Sequence, residues 1–354
     1  MQSVYPEKGR DDWIIAQRPP RNTLDPFKPY GFFLERELNG SGCVASSAVI
    51  LLTNRECPWR CLMCDLWKNT LPYSVPPGAI PAQIDYALTR LSSRPEQIKL
   101  YNSGSFFDTA AIPVEDYAQI AEKVFFAERV IVECHPKLVG EKTIAFRDHL
   151  VRAQSSGSAR HRASGQRPAR SEPVLGPKLE VAMGLETIHP SILPRLNKQL
   201  TPILFRRAAR DLCDFGIALR VFVLVKPPFL HESLAVDWAV KSVEFAFDCG
   251  AAVVSLIPTR AGNGAMDRLQ ENHEFAPPAL DTVEHALEEC LANTRGSSAS
   301  ETGLQRRVFV DTWNLEQFST CRHCFDQRRV RLCQMNLTQQ ILPSIHCSVC
   351  KGLT

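Results

Sequence analysis

The densest chemistry in this chain lies in Asn54-Arg55-Glu56-Cys57-Pro58-Trp59-Arg60-Cys61-Leu62-Met63-Cys64. Three thiolates at C-x3-C-x2-C spacing on one short loop can bind three irons of a [4Fe-4S] cubane and leave the fourth without a protein ligand, whereas ferredoxin-type clusters engage four cysteines. Such an open iron can take a small molecule. Zinc instead favours paired cysteines at C-x2-C spacing. Two such pairs stand near the C-terminus, Cys321-Arg322-His323-Cys324 and Cys347-Ser348-Val349-Cys350, separated by 22 residues. Brought together, Cys321, Cys324, Cys347 and Cys350 make a tetrahedral site for zinc or hold an auxiliary iron-sulfur cluster, and the spacing leaves both open. Cys333 and His323 are spare ligands. Arg322, Arg328, Arg329 and Arg331 surround the pairs and suit either a face for nucleic-acid phosphate or a plain solvated surface. Cys43, Cys213, Cys249 and Cys290 stand singly, where cysteine behaves as a small hydrophobe.

These thiols must be positioned by a sizeable fold. The chain has 354 residues, 44% of them hydrophobic, enough for one large core. Forty-one basic and 38 acidic residues leave a net charge of +3, so any nucleic-acid surface must be local. No apolar run approaches the ~20 residues that cross a bilayer, and the polar start, Met1 to Arg10, lacks the apolar stretch of a secretory signal. The 13 cysteines are therefore expected to be reduced thiols and metal ligands in a cytoplasmic protein, with no membrane partner.

Residues 1–42, rich in proline and charge, suit an extended leader, a poor place for chemistry. From Ser46, aliphatic runs alternate with stretches of helical period, which predicts repeated βα units and a parallel sheet. The strands are expected at Ala48 to Thr53, Gln97 to Tyr101, Val130 to Glu133, Leu179 to Met183, Leu219 to Val225 and Val253 to Ile257. Helices are expected at Ala82 to Leu91, Val114 to Phe126, Thr201 to Phe215, Leu234 to Cys249 and Pro278 to Ala292. A basic, serine-rich stretch over 147–178, carrying Arg160, Arg162, Arg167 and Arg170, reads as a mobile insertion. The core thus spans 43–295, and residues 296–354, with a strand at Val308 to Asp311, read as a small cysteine-rich module.

Active sites of parallel α/β sheets lie at the carboxyl ends of their strands. There this sequence places Asn102-Ser103-Gly104-Ser105, then Glu133-Cys134-His135-Pro136, Gly184-Leu185-Glu186-Thr187, Lys226-Pro227-Pro228 and Pro258-Thr259-Arg260. A carboxylate at such a position, Glu186 foremost and Glu133 next, can accept hydrogen bonds from ribose hydroxyls or an amine.

The cysteine loop, its place after the first strand and the strands that follow resemble the radical S-adenosylmethionine (SAM) superfamily over roughly Ser46 to Ala292. The resemblance implies a partial (β/α)6 TIM-type barrel. It implies that Cys57, Cys61 and Cys64 hold the cluster and that SAM chelates the open iron and is reductively cleaved to a 5′-deoxyadenosyl radical. It places Met63 beside the adenine, the Asn102-Ser103-Gly104-Ser105 turn near the amino group of SAM, and Glu186 at an acidic cofactor-binding position. Ser-Gly-Ser, Gly-Leu-Glu-Thr and the closing Met335-Asn336-Leu337-Thr338-Gln339 resemble the radical SAM subunit of archaeosine synthesis, whose core is shared with the Elongator catalytic subunit and methylthiotransferases. That likeness implies lyase-type cleavage of a lysine adduct on a 7-deazaguanine base in tRNA, with a one-electron donor such as flavodoxin or ferredoxin. A sulfur-inserting transferase, which needs a second cluster, and a non-catalytic zinc-ribbon RNA-binding protein are the alternatives.

Overall fold

The computed structural model describes residues 3–163, 178–294 and 304–350. Eight strands form one sheet in sequence order: β1 (Gly31–Leu38), β2 (Val44–Leu51), β3 (Gln97–Tyr101), β4 (Arg129–Glu133), β5 (Lys178–Glu186), β6 (Ala218–Val225), β7 (Val253–Pro258) and β8 (Arg307–Val310). β1 runs antiparallel to β2, and every later neighbour is parallel. Six strands, β2 to β7, match the expected βα series. The helices are α1 (Arg10–Ala16), α2 (Ala79–Leu88), α3 (Tyr117–Val124), α4 (Glu141–Ala163), α5 (Pro202–Asp214), α6 (Ala235–Asp248), α7 (Ala265–Glu271), α8 (Leu280–Thr294) and α9 (Arg322–Thr338).

Local sequence explains these elements. In α5, Phe205, Ala208, Ala209 and Leu212 fall on one face and are buried, Pro202 fills the first helical position and the Thr201 hydroxyl accepts the Leu204 N–H at 3.2 Å. The central strands read as continuous apolar runs because both faces are covered. In β5 every residue after Lys178 is buried.

The sheet curls into a half-barrel. In a flat sheet β1 and β6 would lie about 24 Å apart, yet Arg220 of β6 reaches Glu37 of β1 at 2.6 Å. Arg220 also bonds Glu180 of β5 at 2.7 Å, and Lys99 of β3 pairs with Glu35 at 2.6 Å and with Glu37. This buried ionic network lies at the amino ends of the parallel strands, so Glu180 faces away from the end where chemistry is expected.

Three expectations change. The leader is not merely extended, since it contributes α1 and the edge strand β1. The helix α4 runs through Ala163 and takes up the first half of the expected insertion, while 164–177, with Arg167 and Arg170, lie outside the described residues. The strand assigned to the terminal module is β8 of the main sheet. Its open edge is sealed by the side-chain amides of Asn336 in α9 and of Gln339, which caps that helix. Asn336 accepts from Val310 N–H at 2.9 Å and donates back to its carbonyl at 2.8 Å, while Gln339 does the same at Val308, at 2.7 and 2.8 Å. The closing Met-Asn-Leu-Thr-Gln segment thus imitates a ninth strand. By packing on β1 as well as β8, α9 covers the gap between the two sheet edges.

Candidate active site

The carboxyl ends of the strands open on a cavity of about 440 Å³, lined by Cys57, Cys61, Met63 and Cys64 together with Ser103, Gly104, Glu133, Glu186 and Lys198. The cysteine loop is anchored from several elements. Its Leu62 is fully buried against Tyr5, Ile14, Met266 and Leu269, and the Leu62 N–H donates to the Leu196 carbonyl at 2.9 Å. Asn263, after β7, donates to the carbonyls of Leu62 at 2.8 Å and Cys64 at 3.1 Å. Asn197 donates to the Arg60 carbonyl at 2.8 Å. Glu56, beside the first cysteine, is gripped by Arg18 at 2.8 Å, by Arg60 at 3.1 Å and by Arg21. Burial alone would raise the Glu56 carboxyl, but its bonds to Arg18 and Arg21 outweigh this and hold it below the usual range. Arg18 lines the cavity and lies 4.5 Å from the Trp67 ring centre, so the leader does serve the site.

Burial pushes each of the three loop thiols up to about 12, so a metal must displace their protons to bind. The cavity's other cysteine, Cys134, donates to the His135 carbonyl at 3.1 Å, 3.5 Å from Ser105 Oγ. The donor set on the loop is therefore three sulfurs, which fits a cluster with one iron left open.

Two loops approach closely. At Gly104 an added Cβ would lie 3.1 Å from the Cβ of Cys57, so a larger residue there would push the cysteine loop outward by a few tenths of an ångström. At Gly184 an added Cβ would collide with Glu186 and Lys198. Glu186 follows a register shift in β5 and holds a left-handed φ of 68°, a strained state for a non-glycine residue that turns its carboxylate to Lys198. Burial disfavours the Lys198 ammonium, but the Glu186 carboxylate paired with it more than offsets this and keeps it charged.

Glu133 accepts the Asn102 N–H at 3.0 Å. Burial dominates its titration and raises it to about 7, against the pull of the Asn102, Ser103 and Gly104 amides. His135 stacks on Trp59 of the cysteine loop, with ring centres 3.7 Å apart. Its Nδ1 accepts from the Lys137 N–H at 3.2 Å, so its Nε2, 3.0 Å from the Lys198 carbonyl, carries the proton and donates. Burial lowers it to about 3, which makes it a neutral clamp.

Of the remaining expected residues, Ser103 lies on the cavity and its hydroxyl meets that of Tyr30 at 3.0 Å. Ser105 is buried behind the turn, accepting the His135 N–H at 3.3 Å. Asn102 is fully buried, and neither its amide oxygen nor its amide nitrogen has a partner. Thr259 is not brought to the cavity wall, because its hydroxyl is spent on the Val225 carbonyl at 2.9 Å. Sequence reasoning missed Lys198, and the only local signal was its place among strand-end loop residues. Of the four arginines around the cysteine pairs, Arg322 and Arg329 are exposed, while Arg328 pairs with Asp281 and with Glu284 at 3.0 Å and Arg331 pairs with Glu288, so these two guanidinium groups are engaged on α8.

No family model matches the chain. It is similar to an uncharacterized protein of Methanocaldococcus jannaschii, 22% identical over 283 residues, 76% of this chain and 71% of that one. It is also similar to archaeosine synthase subunit beta of Methanosarcina acetivorans, 24% identical over 264 residues, 71% of this chain and 69% of that one. The solved structure of the archaeal Methanocaldococcus infernus Elp3 overlaps 66% of this chain and 51% of its own, at 14% identity and TM-score 0.44. The likeness to archaeosine synthesis read from the sequence is therefore met among curated relatives.

Proposed function

We propose that this chain is a radical SAM enzyme acting on a modified base of tRNA. The observation that carries the reading is three half-buried thiols on one loop at the end of β2, facing a cavity whose other walls offer Glu133, Glu186 and Lys198. Cys57, Cys61 and Cys64 hold a [4Fe-4S] cluster. When bound, and fed by a one-electron donor such as flavodoxin or ferredoxin, it supplies the electron that splits the sulfonium of SAM into methionine and a 5′-deoxyadenosyl radical.

The chain's own groups orient SAM for that step. Lys198 presents a half-buried ammonium to its carboxylate, Glu133 and Glu186 present acceptors to the N–H groups of its amine and to its ribose hydroxyls, and Met63 gives the adenine an apolar contact. Tyr101, Phe222, Leu224 and Ile257 give the cavity an apolar stretch of wall that shields the reacting carbon from water. The substrate assignment, a lysine adduct on 7-deazaguanine in tRNA, is supported by the archaeosine synthase relative. Anaerobic incubation of the reconstituted protein with SAM, dithionite and tRNA carrying that adduct, followed by nucleoside mass spectrometry, should show its conversion to the amidine. Recovery of the intact adduct while 5′-deoxyadenosine accumulates would contradict the substrate and leave the radical step standing.

A pH dependence follows from Glu133. Burial raises its carboxyl to about 7, so at pH 6 it is mostly protonated and brings no negative charge to the amine and sulfonium of SAM. SAM affinity should rise up to about tenfold between pH 6 and pH 8, one pKa unit of coupling being worth about 1.4 kcal/mol. In Glu133→Gln the affinity should be weak and flat across that range by equilibrium dialysis, whereas an undiminished slope would remove Glu133 from the role.

A further inference from the structure

We propose that Cys321, Cys324, Cys347 and Cys350 bind a single zinc ion in a closed tetrahedral site that fastens the returning tail to α9, and that they hold no second iron-sulfur cluster. All four sulfurs lie within 4.8 Å of one another. Cys321 Sγ is 3.9 Å from Cys347 Sγ, and Cys324 Sγ is 3.8 Å from Cys350 Sγ. Four sulfurs placed tetrahedrally at about 2.3 Å from one metal are separated by about 3.8 Å. A cubane binds each cysteine to a different iron and spreads the sulfurs to about 6 Å. The observed separations are those of one ion. They also exceed the roughly 2.05 Å of a disulfide almost twofold. Among divalent ions offered to four thiolates, zinc outcompetes ferrous iron in the general affinity order and needs no redox change.

The surroundings match a structural role. Cys321, Cys324 and Cys347 are buried and pack with Ile345 and Cys350. With four protein ligands no coordination position is left for a substrate. None of the four lines the cavity at the strand ends. The returning segment from Gln340 to Ile345 has no helix or strand, and besides the cysteines it is held by Ile341 and Leu342, which pack on the main core, and by Arg331, which donates to the carbonyls of Leu342 at 2.6 Å and Pro343 at 2.8 Å. A metal joining the two cysteine pairs fastens the end of the tail, beyond Leu342, to the start of α9. This site is independent of the cluster reading. If it holds zinc, the sulfur-inserting alternative loses the second cluster it requires.

The test is metal and acid-labile sulfide analysis of the full chain in which Cys57, Cys61 and Cys64 are all replaced by alanine, beside wild type stripped of iron by oxidation and chelation. We expect one zinc per chain and no sulfide in both. Protein produced with cobalt should show the visible bands of a tetrahedral tetrathiolate, and Cys324→Ser should lose them. Iron with sulfide retained in the triple variant would overturn the proposal, as would one iron without sulfide, or four cysteines without any metal in either preparation. The stripped wild type keeps the test decisive should the triple variant fail to fold, and a failure of the radical reading would leave the zinc count untouched.

Discussion

Arg220→Met should lower the free energy of unfolding by about 3–5 kcal/mol, the usual result of removing one partner from a buried ionic group. Arg220 bonds Glu37 at 2.6 Å and Glu180 at 2.7 Å, and all three are buried. Methionine fills most of the volume but leaves Lys99 as the main counter-charge for Glu37 and Arg129, at 3.5 Å, for Glu180. The pH dependence has a definite sign. Burial pushes the Glu37 carboxyl up, but Arg220 and Lys99 more than offset this and hold it well below the ordinary value of 4.5. A depressed carboxyl stabilises the fold above its unfolded value, and the contribution is lost as pH falls below about 4.5. Urea unfolding at pH 7 and pH 4 should therefore show a larger drop for wild type than for Arg220→Met. Equal losses in the two proteins would mean that the network contributes little.

Lys198→Met should weaken SAM binding by about tenfold to a hundredfold, the equivalent of about 1.5–3 kcal/mol for a hydrogen bond to a charged group. Its ammonium is half-buried and paired with Glu186 under a glycine that leaves room for the pair. Removing it also leaves the Glu186 carboxylate without its paired cation. Glu186→Gln alone should cost less, and the double variant should cost less than the sum, because the two act as one unit. Equilibrium dialysis with labelled SAM, on preparations matched for iron and sulfide, separates affinity from cluster content. Full affinity in the methionine variant would assign Lys198 to loop support alone.

What the sequence disclosed and what it withheld divide along physical lines. Periodicity is local, so β3 was legible to the residue and the other central strands to within a few positions. The cysteine spacing is also local, and so is the Gly104 turn that meets Cys57. Contacts across the barrel are not local. Lys198 lies between Asn197 and Gln199, both with left-handed φ, of 56° and 53°, in an irregular loop that no hydrophobic pattern marks. Glu56 looked like a loop charge, and Arg18 and Arg21 like leader charges, until the fold brought them together. The arginines of α9 suited a nucleic-acid face or a solvated surface equally, because composition counts charges without their partners; Arg328 and Arg331 are matched by acids of α8 some 40 residues away in sequence. Thr259 was placed at the right strand end, but a hydroxyl one residue past a strand can turn back to the neighbouring strand's carbonyl, as this one does.

The central claim is tested most directly by quantifying 5′-deoxyadenosine. The protein is purified without oxygen, reconstituted with iron and sulfide, and given SAM and dithionite beside Cys61→Ala. The account predicts 5′-deoxyadenosine from wild type and none above background from the variant, which keeps its fold but lacks one of three iron ligands. A wild-type protein that binds no cluster and releases no 5′-deoxyadenosine would contradict it.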